Sequence, residues 1–396
     1  MVWTRPTRVP AERSISGSSK ASATASAPTL MAIVLVLLVS LVVPAVARAQ
    51  EPGWRFAEPS FVVELPRDHA AHPDYRIEWW YYTGHVDAAG GRRFGYQLTF
   101  FRYGVEKNPS NPSRWAVRDL YLAHVAVSDL TGRRHLHADR LNRAGAGWAG
   151  AAVDRYEVWN EDWRVVRTEA GRHRLSAATA HFRLELELDE GKGAVLNGVA
   201  GYSRKGASDG NASHYYSFTR MPTRGTITFD GVAYEVEGAS WMDHEFGSSF
   251  LEEDQAGWDW LSVQLDEGVE LMVYQLRRRD GSRDPYSSGT FVGRDGRAAR
   301  LEAGDYTLTP GRTWRSPESG ATYPVEWRVE VPSLQLALDV RAAFDAQEMR
   351  TEDTTTVTYW EGAIEVTGTR AGRPVVGRGY LEMTGYTGRP MSEVLR

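Results

Sequence analysis

Thr226-Ile-Thr-Phe-Asp-Gly-Val-Ala-Tyr-Glu-Val236 decides the fold class. Asp230-Gly231 stands between two short runs rich in β-branched and aromatic residues. A two-residue Asp-Gly loop is the strongest local signal for an antiparallel hairpin, because both central positions need positive φ. Upstream, Phe182-Arg-Leu-Glu-Leu-Glu-Leu188 puts Phe182, Leu184, Leu186 and Leu188 on one face and charge on the other. That is the period of a half-buried strand. Turn signals at Gly90-Gly91, Thr131-Gly132, Glu267-Gly268, Asp280-Gly281, Asp295-Gly296 and Ala371-Gly372 punctuate similar segments, and only residues 342–349 read as helical. The pattern predicts an all-β chain of antiparallel barrels.

An internal repeat sets the domain plan. Trp80-Tyr-Tyr82, Gly90 and Tyr96-Gln-Leu98 recur as Trp258-Asp-Trp260, Gly268 and Tyr274-Gln-Leu276, at a single offset of 178 residues. A fainter match pairs Gly238-Ala-Ser-Trp-Met-Asp243 with Gly377-Arg-Gly-Tyr-Leu-Glu382. Each half opens on an aromatic hairpin and closes on a Gly-x-x-aromatic-x-acid strand, the order expected of a duplication. Two tandem barrels of calycin size follow, over residues 55–250 and 251–396, with Trp80 and Trp258 in equivalent places. Such barrels commonly hold one small apolar ligand. The polar stretches 108–114 and 203–213 are expected at barrel mouths or on the surface.

The chain has 396 residues and a formal net charge of −5. This acidic balance disfavours nucleic acid and anionic lipid as partners. Arg5, Arg8, Arg13 and Lys20 precede an apolar run from Leu30 to Val43, and Ala47-Arg-Ala49 offers a small-x-small cleavage site before Gln50. This is the pattern of a secretory signal over residues 1–49. The run is shorter than the ~20 residues of a spanning helix, so the expectation is a periplasmic or secreted chain without a stable membrane anchor. The absence of cysteine excludes disulfides and thiolate metal sites.

Chemistry concentrates in Gly238-Ala-Ser-Trp-Met-Asp-His-Glu-Phe-Gly247, soon followed by Gly257-Trp-Asp-Trp260. Asp243, His244 and Glu245 stand between Trp241 and Phe246. Ionisable groups among large rings are costly to bury unless paired. The cluster therefore reads either as a site with shifted pKa values or as salt-bridged carboxylates at a domain joint. Strand alternation puts Trp241, Asp243 and Glu245 on one face and Met242, His244 and Phe246 on the other. Glu78, Trp80 and Tyr82 likewise oppose Trp79, Tyr81, Thr83 and His85. One of these aromatic faces can line a barrel, and the other must pack on something outside it, the second barrel being the candidate. His124 reads as a partnered core histidine or as a ligand contact, and Arg220 as a lock on a carboxylate or a substrate contact. No metal site is expected. His85, His124 and His244 lack a second histidine at ligand spacing, and His135-Leu-His137 stands among Arg133, Arg134 and Arg140. A serine-nucleophile signature is absent as well.

These stretches occur in order with His72-Pro-Asp-Tyr-Arg-Ile-Glu-Trp-Trp-Tyr-Tyr-Thr-Gly84, Phe94-Gly-Tyr-Gln-Leu-Thr-Phe-Phe-Arg102, Ala123-His-Val-Ala126, Tyr215-Tyr-Ser217 and Tyr359-Trp-Glu-Gly362. Together they resemble the secreted AttH-like branch of the carotenoid 1,2-hydratase family, over about residues 55–390. The resemblance implies two lipocalin-like barrels in tandem. In some members it also implies addition of water across a terminal C=C of an acyclic carotenoid, without a redox cofactor. Asp243, His244 and Phe246 match the Asp, His and Trp of that family's Asp-His-Asn-Trp-Gly strand. Its Tyr-x-Asp pair on the next hairpin is matched by Tyr274 alone, with Leu276 in the place of the aspartate.

Alkene hydration needs a protonated acid in an aromatic-lined apolar pocket. Burial raises a carboxyl pKa, and ring faces stabilise a carbocation. The candidate catalytic groups are Asp243, His244, Glu245 and Tyr274. The candidate contacts to a long apolar ligand are Trp80, Tyr82, Tyr96, His124, Trp241, Phe246, Trp258 and Trp260. The expectation is a protein with hydratase- or hydrolase-like chemistry and no cofactor; a non-catalytic lipid carrier or a structural double barrel is the alternative.

Overall fold

The computed structural model describes residues 53–394 apart from Arg114, Phe250, Glu352 and Asp353. The stretch 1–49, where a leader and its cleavage site are expected, lies outside the described residues. Thirteen strands form the first sheet. They begin with β1 (Ile77–Ala88), β2 (Arg93–Gly104), β3 (Asp119–Asp129) and β4 (Arg134–Arg143). Next come β5 (Ala149–Ala151), β6 (Glu157–Asn160), β7 (Trp163–Arg167), β8 (Arg172–Ala178) and β9 (Phe182–Asp189). The last are β10 (Ala194–Leu196), β11 (Tyr202–Arg204), β12 (Ala212–Phe229) and β13 (Val232–Gly247). The order β4-β3-β2-β1-β13-β12-β9-β8-β7-β6-β5 curls into a nearly closed barrel. Asn160 brings its two rims together by accepting from Asn142 at 2.7 Å and donating to the Tyr121 carbonyl at 3.0 Å.

The second sheet continues with β14 (Gln255–Leu265), β15 (Glu270–Arg278), β16 (Ser288–Val292), β17 (Ala298–Glu302) and β18 (Thr307–Pro310). After the small hairpin β19 (Thr313–Arg315) and β20 (Thr322–Pro324) come β21 (Glu326–Val331), β22 (Leu336–Ala342), β23 (Glu348–Thr351), β24 (Val357–Arg370) and β25 (Arg373–Met383). Its order is β17-β16-β15-β14-β25-β24-β22-β21-β18. In each sheet the first strand pairs with the last as well as with the second. Among the described residues, no helix is long and apolar enough to cross a membrane.

Local chemistry explains these elements. Asp230 and Gly231 take φ of 49° and 79°, the conformation a tight hairpin demands, and join β12 to β13. On β9 the four apolar side chains Phe182, Leu184, Leu186 and Leu188 are all buried. Residues 342–349 are not helical. They run off the end of β22 and into β23, whose pairing with β24 outweighs the local helical tendency.

The duplication holds at the level of strand order, but the gapless offset misplaces its tryptophans. Tyr81 lies opposite Asp243 on β13, and Trp260 lies opposite Glu382 on β25. By this register Tyr81 corresponds to Trp260, and Trp79 to Trp258. Trp80 points into the first barrel's core, whereas Trp258 and Trp260 belong to the cluster between the sheets. A one-residue slip turns a strand's side chains to its other face, and a match of residue types carries no register that would reveal it.

The two sheets meet over the outer faces of β1, β2 and β13. Here Trp79, Tyr81, Thr83 and His85 find their covering. His85 Nε2 donates to the Gly379 carbonyl at 2.8 Å, and Gln264 reaches the carbonyls of Thr219 and Ser240. Buried Glu270 receives Lys192 at 2.9 Å and Arg220 at 2.6 Å, so Arg220 locks a carboxylate.

Candidate active site

The seam between the sheets holds four carboxyl groups among aromatic rings. Asp243 accepts from Tyr215 Oη at 2.8 Å, Ser217 Oγ at 2.5 Å and Trp241 Nε1 at 2.7 Å. Trp260 Nε1 donates to Tyr215 Oη at 3.3 Å. Tyr81 donates to Glu361 at 2.8 Å, and Trp258 Nε1 to Glu382 at 2.6 Å. Glu361 and Glu382 lie directly opposite one another on β24 and β25. Two buried carboxyl groups so placed favour keeping a proton on one of them. Glu245 accepts from Ser213 and pairs with Lys205 at 3.0 Å. The Lys205 ammonium lies 4.4 Å from the Tyr274 ring centre and 5.0 Å from that of Tyr215. Lys205 comes from the 203–213 stretch, which therefore does more than cover a barrel mouth.

Burial governs the protonation of these acids. It pushes Asp243 up to about 7, against the three donors and with added repulsion from Glu245. It pushes Glu382 up to about 7 as well, and Glu361 well above the carboxylate range, Glu382 adding repulsion. Lys205 remains a cation: burial disfavours its charge, but Glu245 and Tyr274 outweigh burial and raise its pKa.

A pH dependence of stability follows. A carboxyl group with a raised folded-state pKa contributes fully below its unfolded pKa near 4, and that contribution is lost as pH rises through about 7. Buried neutral histidines such as His69, His124 and His244 carry lowered pKa values. Their opposing gain is only half complete at about pH 6.5 and ends about a unit higher. The seam term is therefore read as a difference: the melting midpoint of the wild type relative to a variant without the Asp243 carboxyl should fall between about pH 4 and 7.

On the opposite face of the same strands, the first barrel encloses a second constellation. Glu78 Oε1 lies 2.7 Å from His72 Nδ1 and 2.9 Å from His244 Nε2, and Arg102 reaches Oε2 at 3.2 Å. Arg102 also binds Asp119 at 3.0 Å. Tyr216 Oη links His244 Nδ1 and His69 Nδ1, both at 2.8 Å. His173 bonds Tyr82 at 2.8 Å and approaches Glu190 at 3.3 Å. Trp80 stacks on His244, and Phe246 on His72 at 3.6 Å between ring centres. Burial opposes ionisation of Glu78, but His72, His244 and Arg102 override it and hold the carboxyl far below its usual range. His72/Glu78/His244 and His69/His173/Glu190 each have the donor set and spacing to hold a metal ion.

Strand alternation thus divides the sequence candidates. Asp243, Glu245, Tyr274, Trp241, Trp258 and Trp260 meet in the seam, while His244, Phe246, Trp80, Tyr82 and Tyr96 lie inside the barrel. Asp243 and His244 therefore do not form one acid–base pair, because adjacent strand residues face opposite ways. His124 joins neither group. It bonds Tyr359 at 2.8 Å across the interface, and burial, with His137 adding, lowers its pKa to about 3. A cavity of about 270 Å³ is lined by Ser203, Tyr286 and Ser288, among others. Ser203 also contacts Tyr274 at 3.3 Å, so this cavity adjoins the seam. A larger recess of about 1030 Å³ is lined both by charged side chains such as Arg164, Arg224 and Glu187 and by the apolar Val166, Leu175 and Val236.

The family model described as AttH-like matches residues 57–386. The chain belongs to the AttH-like family. The crystal structure of a Nitrosomonas europaea protein assigned as an AttH is 36% identical; the match covers 84% of this chain and 99% of that one, with a TM-score of 0.77. Kievitone hydratase from Nectria haematococca is 16% identical over 82% of this chain and 93% of its own, with a TM-score of 0.64. It shares the AttH-like fold of two successive barrels. The comparison with curated proteins found no match. In this AttH-like chain Tyr274 and Leu276 both face the seam, so the Tyr-x-Asp position of the carotenoid hydratase pattern falls in the same seam as Asp243. The His and Trp positions, His244 and Phe246, fall inside the barrel.

Several site residues escaped the sequence reading. Glu361 and Glu382 stand near the far end of the chain and come close to Asp243 only because β25 packs on β1 and β24 on β2. The repeat pairing Asp243 with Glu382 carried that signal. His69, His173 and Glu190 come from three separate segments, and only His69-Ala-Ala-His72 offered a local hint.

Proposed function

We propose that this AttH-like chain is an exported hydratase that adds water across a carbon–carbon double bond of a long apolar molecule at the seam. The observation that carries the reading is the Asp243 carboxyl, pushed up to about 7 among Tyr215, Trp241 and Trp260. Such a group is about half protonated at pH 7 and can act as a general acid. Its proton would pass to one alkene carbon, and the π electrons of the double bond form the new C–H bond. The neighbouring carbon becomes cationic, and the ring faces of Trp241 and Trp260 favour that charge. Water attacks that carbon and gives its proton to the Asp243 carboxylate, which restores the acid and leaves an alcohol. Family membership and the fold shared with kievitone hydratase support this reaction class, and the leader pattern at Ala47-Arg-Ala49 supports export.

Leu276, in the place of the aspartate, favours a rival: a carrier that binds the same molecule without turnover. The test is incubation of the mature protein with acyclic isoprenoids bearing a terminal double bond, in ¹⁸O-labelled water. A hydratase yields a product heavier by one labelled water and quenches tryptophan fluorescence on binding. Binding without product leaves the carrier, and neither signal overturns both. Export predicts a mature N-terminus at Gln50 in the periplasmic or extracellular fraction; intact residues 30–43 on membrane-extracted protein would contradict it.

A further inference from the structure

We infer that His69, His173 and Glu190 form a binding site for a divalent first-row transition-metal ion at the edge of the first barrel. This site is separate from the seam. His69 Nε2 and His173 Nε2 lie 3.7 Å and 3.3 Å from the same Glu190 oxygen. Donors each about 2.0–2.1 Å from a tetrahedral ion stand roughly 3.4 Å apart, so the three atoms already have ligand spacing. Both rings are held from behind. His69 Nδ1 meets Tyr216 Oη and His173 Nδ1 meets Tyr82 Oη, each at 2.8 Å. Partners on the second ring nitrogen fix a ligating histidine's orientation and tautomer. The rings stand nearly perpendicular, at 87°, with centres 5.6 Å apart, and both Nε2 atoms approach one carboxylate oxygen.

The protonation states suit a cation. Burial keeps both imidazoles neutral, His173 further disfavouring charge on His69. Glu190 is held down to about 2: burial opposes its charge, but His173 and Arg167 override it. Neutral imidazole and ionised carboxylate are the forms that bind metal. The Glu190 side chain is 28% exposed, which leaves a route in and room for water as a further ligand. Arg167 Nε lies 2.6 Å from the ligating oxygen, and its own side chain is partly exposed. On loading, the guanidinium would pass to the other carboxylate oxygen. The neighbouring His72/Glu78/His244 group differs. Glu78 there already receives Arg102 and the His72 amide, and its attraction keeps His72 charged. Its counter-ions are built in.

The site ties the turn Arg67–His69 to strand β8 and the end of β9, so occupancy should stabilise the folded chain. The experiment uses the mature protein stripped with a chelator, then titrated with Zn²⁺ by calorimetry and with Co²⁺ by visible absorption. One ion per chain, a raised melting midpoint and a Co²⁺ spectrum of low coordination number are expected. Glu190→Gln and His173→Gln, each checked for folding by circular dichroism, should weaken Zn²⁺ binding by roughly 100-fold or more. His72→Gln should leave it unchanged. No binding at ~100 µM Zn²⁺, binding that survives Glu190→Gln, or binding lost with His72→Gln instead would each overturn the site.

Discussion

Replacing Asp243 by asparagine is expected to lower hydratase turnover by about 10²–10⁴-fold, the usual range for loss of a general acid. Ligand affinity should stay within roughly tenfold, about 1.4 kcal/mol. The asparagine oxygen can still accept from Ser217 and Trp241, and the Tyr215 hydroxyl can turn to accept from its amide, so the seam keeps its hydrogen bonds. Stability should separate the catalytic reading from a structural one. Asp243 has a folded-state pKa raised to about 7, so the wild type loses this group's contribution as pH rises from about 4 to about 7. Asparagine does not titrate. The variant should therefore gain on the wild type in melting midpoint across that window, and the difference should level off above it. An Asp243 that served as an ionised partner in a structural ion pair would instead leave the variant less stable at neutral pH, with turnover reduced only by unfolding.

Glu78→Gln is expected to be the most destabilising single change in the first barrel. Glu78 is wholly buried and pairs with Arg102, His72 and His244. Removing its charge leaves buried Arg102 with Asp119 as its counter-ion, beside the carbonyls of His72 and Tyr75. Breaking a buried ion pair from one side costs about 3–5 kcal/mol. Glu78 has a strongly lowered pKa, so its contribution is present above about pH 4.5 and is lost as pH falls. Denaturant unfolding should show the full deficit at neutral pH and a shrinking one in acid. A deficit below ~1 kcal/mol at pH 7 would mean that Glu78 acts as a weakly coupled surface-like charge.

The fold was largely legible because period-two alternation and turn residues are local. Phe182 to Leu188 and the Asp230-Gly231 hairpin behave as their own sequences dictate. The site was legible only in pieces. Asp243 and its raised pKa followed from a carboxyl among rings on one strand, whereas the approach of Glu382 to it and the bond from Tyr81 to Glu361 depend on how two sheets dock. The 178-residue match failed at Trp80 and Trp258 because it aligned residue types without a register, and one residue separates the core from the seam. His244 was read beside Asp243 because the two are adjacent in sequence, although the strand pleat had already set them on opposite faces.

The most direct test is the ionisation of Asp243 itself, measured by difference infrared spectroscopy between the wild type and Asp243→Asn across a pH series. The seam account predicts a protonated carboxyl C=O stretch that belongs to Asp243, persists through pH 6 and titrates near 7. A carboxylate at Asp243 already ionised at about pH 5, near the ordinary behaviour of an exposed aspartate, would contradict it.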